Sequence, residues 1–255
     1  MSDKSLVLQV LRLLSRFLAY CISFRQIRQV LNYKLSKEAY FDFNSHSLEY
    51  FFHSYNNFRL TERAIEIPII KFYLEQEGYQ QVLEIGNVTN YYYDYFREVF
   101  VGKRKVVVDK FEVASDVISM DICKYKPNTR FDFVFSISTF EHMDSDRGRN
   151  PDYEPDSSNL ISVAADNISY VLDFLLKKGG KFVITAPLGY SEEWDETFYS
   201  TTLDGYSSSS RCKRYVFEKQ KEIVWKEIEV SKGRGAIYNF PLPGVNYLSI
   251  VEFDK

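Results

Sequence analysis

The chain has few of the residues that mark disulfide-rich, zinc-binding and nucleic-acid-binding proteins. Its 255 residues include only three cysteines, Cys21, Cys123 and Cys212, which are far apart and form no Cys-x-x-Cys pair. Such a set argues against a disulfide framework or a structural zinc site and is typical of a reducing compartment. The formal net charge is −3, which gives no reason to expect a nucleic-acid partner. We therefore expect a cytoplasmic protein without a bound metal ion.

Long uncharged apolar runs are also missing. The most apolar stretch, residues 6–24, is interrupted by Arg12 and Arg16, and no small-residue cleavage site follows it. A membrane-spanning helix needs about 20 nearly uncharged residues and a secretory signal needs a cleavage site, so neither is predicted. Residues 1–37 contain seven Lys or Arg against one acid, with helical apolar spacing over residues 5–33. This basic helix is expected to cap the main domain, or else to contact the inner membrane face, a partner or a second copy.

A change of pattern near residue 80 predicts an α/β fold. Short, β-branched, apolar segments alternate with helical ones, as in buried parallel strands joined by crossover helices. The predicted strands are 81–85, 105–108, 131–137 and 180–185, and the predicted helices are 61–78 and 160–176. Residues 214–230 and 246–253 are expected to form a terminal antiparallel pair. This predicts a doubly wound, mostly parallel sheet over residues 61–255, preceded by a helical, aromatic and partly irregular extension over residues 1–60.

The helix predicted at 61–78 has two local signals of its own. Thr61 is a plausible N-cap, and Gly78 follows the last turn. Pro68 lies in the interior, where its missing N–H removes a helical hydrogen bond. We expect Pro68 to kink or split the helix.

The segment QVLEIGNVTNYYYDYF, residues 81–96, has the strand–turn–helix pattern of a cofactor loop but contains a single glycine, Gly86. A dinucleotide needs G-x-G-x-x-G, because backbone amides must approach its pyrophosphate closely. The acids Glu84, Asp109 and Asp121 lie at or near strand ends, and such ends meet at the ligand-binding edge of a parallel sheet. Three carboxylates would repel a pyrophosphate, so the pattern favours a cationic cofactor.

S-adenosylmethionine carries a sulfonium and an ammonium and no phosphate, which suits such a site. We expect Glu84 to hold the methionine end directly or through water, Asp109 to hold the ribose diol, and Asp121 to bind the adenine amine beside Ile122. Each acid has a structural alternative: Glu84 a solvated strand end, Asp109 a turn cap, Asp121 an N-cap. The tyrosines at 91–93 and 95 are expected to shield the methionine moiety or to pack a helix on the sheet.

Five motifs occur in order between residues 80 and 190: VLEIG, VVVD, MDI, FDFVFSISTFEHM and LLKKGGKFVITAPLGY. The series resembles the class I S-adenosylmethionine-dependent methyltransferases, and LEIGNVTNYY, SISTFEHM and APLGY resemble a bacterial branch found with surface-polysaccharide biosynthesis. The resemblance implies a seven-stranded Rossmann-like sheet, S-adenosylmethionine as cofactor, and methyl transfer to a small-molecule or sugar-type acceptor. The family loop is usually E/D-x-G-x-G-x-G, and this chain departs from it after Gly86. The implied cofactor-binding residues are Glu84, Gly86, Asn87, Asp109, Lys110, Asp121, Ile122, Ser136 and Ser138.

His142 follows the predicted strand 131–137 and is the histidine expected nearest the site, beside Glu141. A hydroxyl acceptor benefits from a general base, and we expect His142, together with Glu141, to supply it. Two alternatives stay open: the imidazole packs over the adenine, or Glu141, His142 and Asp144 hold a divalent cation.

Acceptor recognition is expected from the segments that vary around the sheet edge. Tyr190 and Trp194 offer stacking faces for a sugar or base, and the long polar stretch 144–159 is a candidate acceptor loop. A nucleotide-linked sugar or phosphorylated glycan precursor would need cations, or these side chains form surface salt bridges instead. The candidates are Arg147, Arg149, Arg59 and Arg63. Nucleic acid is not an expected acceptor, because no N/D-P-P-Y/F motif follows the strand 131–137. The alternative function is a methyltransferase-like cofactor-binding or scaffolding module without transfer activity.

Overall fold

The computed structural model describes residues 39–53, 61–76, 78–143, 163–201, 203, 211–221, 224–242 and 244–255. The basic helix predicted at 5–33 and the candidate residues Arg59, Asp144, Arg147 and Arg149 lie outside these ranges. Within them, no helix has both the length and the apolar character needed to cross a bilayer.

Between residues 81 and 199 helices or helical turns join most of the described strands, as the sequence predicts, and the short strand Ile118–Ser119 is an addition to the predicted ones. The strands are β1 Tyr40–Phe43, β2 His46–Glu49, β3 Gln81–Ile85, β4 Arg104–Asp109, β5 Ile118–Ser119, β6 Phe131–Ile137, β7 Leu176–Pro187, β8 Arg211–Lys221, β9 Val224–Ile228 and β10 Tyr247–Asp254. The α-helices are α1 Arg63–Gln76, α2 Tyr93–Phe96, α3 Phe140–Met143, α4 Val163–Tyr170 and α5 Glu192–Tyr199. Short 3-10 turns span Thr89–Tyr92, Ile122–Lys124 and Val230–Gly233, and a π-helical turn, Val171–Leu175, extends α4.

One sheet organises the domain, with strand order β5-β4-β3-β6-β7-β10-β8-β9. Strands β3 to β7 pair in parallel, and β10, β8 and β9 add antiparallel pairings at the other side. The predicted mostly parallel, Rossmann-like sheet and the terminal antiparallel pair are therefore confirmed. The sheet has eight strands where seven were expected, because residues 214–230 contribute two paired strands, β8 and β9, instead of one.

The sheet is covered on both faces, which makes the fold doubly wound. Alternate residues of β6 enter different cores: Phe133 and Phe135 pack with α1, whereas Val134 packs with α4 and α5. This alternation follows from the two-residue period of a strand. Because β3 and β6 are central and apolar on both faces, their carboxyl ends are held rigidly at one edge of the sheet.

Helix α1 runs through Pro68 without a break, so the expected split does not occur. The missing N–H of Pro68 leaves the carbonyl of Ala64 without its helical donor, and Phe51 N donates to that carbonyl at 2.9 Å instead. Thr61 caps the start of α1, as predicted, because its Oγ1 accepts a hydrogen bond from Arg63 N at 3.3 Å.

Residues 40–49, expected to be irregular, form the antiparallel hairpin β1–β2. Phe41 and Phe43 of this hairpin are buried in the same core as α1. The described part of the N-terminal extension is therefore strand, and it packs on the face of the sheet that α1 covers.

Candidate functional site

A cavity of about 740 Å³ opens at the carboxyl ends of β3, β4 and β6, the edge at which the sequence places the site. Nine sequence-predicted residues line it: Gly86, Asn87, Asp109, Lys110, Asp121, Ile122, Ser138, His142 and Tyr190. Glu84, Ser136, Glu141 and Trp194 do not line it. The structure thus brings most of the predicted cofactor residues together around one concave space.

Gly86 ends β3 in a conformation that demands glycine. Its φ is +87°, and a Cβ built there would lie 2.2 Å from Thr139 Oγ1. The left-handed region is costly for residues with a Cβ. Gly86 N donates to Val108 O at 2.9 Å, which ties the turn to β4. The single glycine that the sequence retains is therefore the one that lets the loop after β3 pass close to the loop after β6.

Glu84 organises the loop after β3 from beneath. Its side chain is fully buried, and its Oε1 accepts from Val88 N at 2.8 Å and from Thr89 N at 2.7 Å. The Thr89 hydroxyl donates to Oε2, and Lys105 Nζ lies 2.9 Å from the same oxygen. This corrects the expectation that Glu84 contacts a methionine group, because its oxygens are engaged by the loop and by Lys105. Glu84 shapes the cofactor loop instead of lining the cavity.

The same contacts bear on the choice of cofactor. A pyrophosphate would need free backbone amides in this loop, but the amides of Val88 and Thr89 point to Glu84. Lys105 Nζ also donates to Thr89 Oγ1 at 2.6 Å and to Asn90 Oδ1 at 2.7 Å, so its charge is directed at the loop interior. The loop is therefore built to hold its own shape and lacks the amide cradle of a dinucleotide site.

Asn87 presents the clearest unmet hydrogen-bonding group of the cavity. Its side chain is buried, and its Oδ1 has no hydrogen-bond partner among the described residues. Buried polar atoms are rarely left unpaired, so such an acceptor at a cavity wall indicates a place for a donor. The ammonium of S-adenosylmethionine is a donor of this kind. The loop after β3 thus fits the methionine end of that cofactor through Asn87.

Asp109 ends β4 and caps the turn that follows it, as one of the alternatives predicts. Its Oδ1 accepts from Phe111 N at 2.9 Å and from Glu112 N at 2.8 Å. Asp109 also lines the cavity, and its Oδ2 accepts no hydrogen bond within the described residues. The turn therefore orients the carboxyl group and leaves one oxygen for a ligand hydroxyl.

Asp121 likewise caps a turn and also lines the cavity. It is the N-cap of the 3-10 turn Ile122–Lys124, since its Oδ1 accepts from Cys123 N at 3.0 Å. Lys110 Nζ lies 3.9 Å from Asp121 Oδ2, at the rim. Ile122 is buried at the cavity wall and offers an apolar surface for a ring.

Three of the tyrosines at 91–93 and 95 divide between the two predicted roles, and Tyr93 is exposed and has neither. Tyr92 is buried and Tyr95 half-buried, and both pack against Phe51. Tyr91 lines the cavity, where its hydroxyl donates to Glu112 Oε1 at 2.9 Å. Packing therefore explains Tyr92 and Tyr95, and only Tyr91 is placed to cover a ligand.

His142 lines the cavity from helix α3. Its side chain is 53% exposed, and its Nε2 is 3.6 Å from Glu141 Oε1. The ring meets Tyr190 edge to face at 4.9 Å, and Tyr190 meets Tyr238 in the same way at 5.2 Å. His142 and Tyr190 thus form an accessible part of the cavity wall.

Glu141 is buried directly behind this wall. Burial raises the pKa of Glu141 well above its usual value; a hydrogen bond from its own backbone amide opposes the rise, and the Glu66 carboxylate adds to it. Glu66 is itself fully buried in the first turn of α1 and accepts from Ser138 Oγ at 2.8 Å. Ser138 has a φ of +40°, an unusual value for a residue with a side chain. A strained residue of this kind at a cavity wall is typical of functional sites.

Two predicted residues belong to the core instead of the site. Ser136 is fully buried within β6, and its hydroxyl donates to Ile85 O at 2.9 Å. Trp194 is fully buried as well, with its indole N–H donating to Ser249 Oγ at 3.0 Å. A stacking role for Trp194 is therefore wrong, because its ring is fully buried and packs against Phe140 and Phe198.

Several residues near the site could not be predicted from the sequence. Lys105 and Tyr238 lie outside the quoted motifs, and only the fold brings Lys105 to the loop after β3 and Tyr238 to Tyr190 in the loop after β7. Thr139 lies within the motif FDFVFSISTFEHM, but its close approach to Gly86 is visible only in the fold. Glu66 looked like an ordinary acid in the first turn of a helix. No group of three or more His, Cys, Asp or Glu among the described residues is arranged to hold a metal ion, and Asp144 lies outside that part of the chain.

Comparison with known proteins gives matches at the level of structure alone. No protein-family model and no curated protein matches the chain. A S-adenosylmethionine-dependent methyltransferase from Archaeoglobus fulgidus matches at 19% identity and a TM-score of 0.42, over 73% of this chain and 93% of that one. N-methyltransferase NodS from Bradyrhizobium japonicum, in complex with S-adenosylhomocysteine, matches at 13% identity and a TM-score of 0.43, over 76% and 87%. Coclaurine N-methyltransferase, bound to N-methylheliamine and S-adenosylhomocysteine, matches at 14% identity and a TM-score of 0.44, over 100% and 95%. At sequence identities and TM-scores this low, the activities of those proteins are not assigned to this chain.

Proposed function

We propose that the protein is an S-adenosylmethionine-dependent methyltransferase. The observation that carries the proposal is the chemistry of two acceptor groups on the cavity wall. Asn87 presents a buried oxygen without a partner among the described residues, and Asp109 presents a carboxyl oxygen that its own turn leaves unused. Donors on a cationic methionine group and on a ribose diol match these acceptors.

The remaining cofactor contacts follow from the walls of the cavity. Ile122 would pack on the adenine, and the second oxygen of Asp121 would accept from the adenine amine. Bound S-adenosylmethionine supplies an electrophilic methyl group, so the protein needs to position an acceptor and exclude water. Gly86 and Thr139 hold the two loops in contact, which keeps the floor of the cavity rigid.

The acceptor is proposed to enter beside His142 and Tyr190. The exposed imidazole of His142 can accept a proton from a hydroxyl acceptor, and its Nε2 lies 3.6 Å from Glu141 Oε1. Tyr190 offers a half-exposed ring on which the apolar face of a sugar can stack. Methylation of a sugar, nucleotide-linked sugar or phosphorylated glycan precursor in polysaccharide biosynthesis is the acceptor class that we propose from the sequence motifs.

The cellular setting belongs to the same proposal. The cysteine content and the acceptor class support a cytoplasmic location. The basic N-terminal segment supports a contact with the inner membrane face or with a second copy.

A binding module without transfer activity is the second candidate. It is favoured by one observation: the loop after β3 lacks the later glycines of the family pattern. Both candidates bind the cofactor, so they differ only in turnover.

Two measurements test the proposal. Isothermal titration should show binding of S-adenosylmethionine and S-adenosylhomocysteine but not of NAD, and absence of binding would refute it. An assay for S-adenosylhomocysteine release over a panel of sugars and nucleotide sugars then separates the enzyme from the module. In that assay His142→Gln should lower turnover about 100-fold, a usual size for loss of a general base, and leave cofactor affinity unchanged. Equal loss of both would place His142 against the cofactor instead.

A further inference from the structure

Helix α1 holds one residue of the cavity wall from outside the cavity. Glu66, in the first turn of α1, is fully buried and does not line the cavity. Its Oε1 accepts from Ser138 Oγ at 2.8 Å, and Ser138 lines the cavity directly after β6. Neither residue is among the proposed contacts of S-adenosylmethionine or of its acceptor. The bond between them therefore needs an explanation of its own.

Ser138 is held in a backbone conformation that a serine rarely adopts. Its φ is +40°, and among the described residues other than glycine that have a positive φ, only Ser138 lines the cavity. A strained backbone of this kind persists where the surroundings impose it. Two hydrogen bonds do so here, because Ser138 N donates to Thr185 O at 2.8 Å and Ser138 Oγ donates to Glu66. Since the protein uses both donors, Ser138 contributes to the cavity through the position of its backbone.

Glu66 is itself fixed by two further partners. Its Oε2 pairs with Arg63 on the same helix, and its Oε1 also accepts from Thr185 Oγ1 at 2.7 Å. Thr185 is fully buried in β7. A buried carboxylate with three partners has little freedom to move, because a displacement would leave a charged group unpaired in the interior. Glu66 thus transmits the positions of α1 and β7 to Ser138.

The position of Ser138 affects two parts of the cavity through its neighbour Thr139. A Cβ on Gly86 would clash with Thr139 Oγ1, so the loop after β6 touches the loop that carries Asn87. Thr139 O accepts from His142 N at 3.1 Å, so the same residue is bonded to the helix that carries the proposed base. A shift of Ser138 would displace both, and a misplacement of about 1 Å in such a site can cost about a hundredfold in rate.

We propose that Glu66 is a positioning residue for the cavity and that it acts through Ser138. By holding the serine at a positive φ, Glu66 sets the loop after β6 against the cofactor loop and places helix α3. Glu66 itself contacts neither cofactor nor acceptor, since it does not line the cavity. The inference rests on the proposed function, because it concerns the binding of the same cofactor. Support of this kind keeps the contact groups of a site within narrow geometric limits.

Removal of the serine hydroxyl tests the bond with the least disturbance. Ser138→Ala keeps the Cβ and loses the hydrogen bond to Glu66, so the backbone is free to relax. Isothermal titration of the full chain should show that the Kd of S-adenosylhomocysteine rises about tenfold. Thr185→Val is the matched control, because it removes the other hydroxyl that donates to the same Glu66 oxygen. It should lower the urea midpoint of unfolding about as much as Ser138→Ala does and leave the Kd within about twofold.

Ser138→Gly separates the backbone strain from the lost bond. This variant loses the same hydroxyl as Ser138→Ala, but glycine adopts a positive φ without a steric penalty. We expect its Kd for S-adenosylhomocysteine to be at least about threefold lower than that of Ser138→Ala. A serine that served packing alone would give the opposite order, because glycine leaves the larger gap.

Glu66→Met tests whether Glu66 acts through Ser138. The single variant should raise the Kd about tenfold or more. The double variant with Ser138→Ala should bind within about twofold of Glu66→Met, because the two substitutions break the same bond. Independent effects would instead multiply to about a hundredfold. If Glu66→Met fails to fold, the Ser138 and Thr185 variants decide alone.

Four results would overturn the inference. They are an unchanged Kd in Ser138→Ala, an equal rise in Ser138→Ala and Thr185→Val, a Ser138→Gly protein that binds as weakly as Ser138→Ala, and independent effects in the double variant. Titration of the wild type beforehand separates the two proposals. Absence of S-adenosylhomocysteine binding refutes the proposed function, whereas normal binding by the wild type and equal binding by Ser138→Ala refute only the positioning role.

Discussion

Lys105 Nζ lies 2.9 Å from Glu84 Oε2, and this ion pair holds the loop after β3 in place. Lys105 stands on β4 and Glu84 on β3, so the pair also joins two neighbouring strands. Lys105 reaches on to Thr89 and Asn90 at 2.6 and 2.7 Å. The loop that carries Asn87 is thereby fixed at both its start and its end.

Replacement of Lys105 by methionine should weaken cofactor binding, although Lys105 does not line the cavity. The variant leaves the buried Glu84 carboxylate without its cation, which relaxes the loop around Asn87. We expect the Kd of S-adenosylhomocysteine to rise about tenfold or more. Isothermal titration measures this, with Lys103→Met as control because Lys103 lies outside the network. An unchanged Kd in a folded Lys105→Met protein would contradict the positioning role, and rescue by Lys105→Arg would support it.

Gly86→Ala should destabilise the protein for two separable reasons. The φ of +87° costs about 1–2 kcal/mol for a residue with a Cβ, and the contact with Thr139 Oγ1 adds an overpacking penalty of about 1–3 kcal/mol. Urea unfolding gives the total. The double variant Gly86→Ala with Thr139→Ala should recover the overpacking part only. Full recovery would mean that the backbone is not strained, and no recovery would mean that Thr139 is not the obstacle.

Asp109→Asn should separate the turn-capping role of this residue from its ligand role. An asparagine oxygen can still accept from Phe111 N and Glu112 N, which preserves the turn. The second oxygen becomes an amide nitrogen, which cannot accept from a ribose hydroxyl. We expect cofactor affinity to fall about tenfold while the free energy of unfolding stays within about 0.5 kcal/mol. A loss of stability as large as the loss of affinity would assign Asp109 to the turn alone.

Asp195 should make the stability of the acceptor wall depend on pH. Both carboxyl oxygens accept from Gly189 N, next to Tyr190, and burial raises the pKa of Asp195 to about 6. A folded-state pKa above the unfolded value means that the folded state binds the proton more tightly. The contribution of Asp195 to the free energy of unfolding is therefore fully present below its unfolded-state pKa of about 4. It is lost as the pH rises through the folded-state pKa of about 6.

The measurement is the unfolding free energy of the wild type minus that of Asp195→Asn, taken across this range. We expect the difference to grow by about 1–2 kcal/mol between roughly pH 7 and pH 4, allowing for partial solvent screening. The variant removes this titration and leaves the other buried acids in place, so they cancel. A constant difference would show that Asp195 titrates normally.

The sheet was readable from the sequence because its central strands carry a strong local signal. Residues 81–85 and 131–137 are apolar on both faces, and both appear as strands with those bounds. Gly86, Asp109 and Asp121 were readable because each follows directly from the end of a strand. The sequence did not show that Asp109 and Asp121 each cap a turn and also line the cavity, because one carboxyl group can do both.

Contacts between segments that are far apart in the sequence cannot be predicted from local sequence patterns. Glu66 and Ser138 are 72 positions apart and meet through the packing of α1 on β6 and β7. Trp194 was misread although a signal existed: Trp194, Thr197 and Phe198 follow helical spacing and are all buried in α5. That stripe marks a core residue, and the aromatic type alone suggested a binding face.

The bond from Phe51 N to Ala64 O has a consequence for how the segment before the sheet is coupled to the rest of the domain. It anchors the hairpin β1–β2 to the start of α1, so the segment before the sheet sets the position of Glu62 and Arg63. Phe51 also packs on Tyr92 and Tyr95, which follow the loop that carries Asn87. A change in the hairpin β1–β2 or at Phe51 would therefore be transmitted both to the start of α1 and to the helical segment after β3.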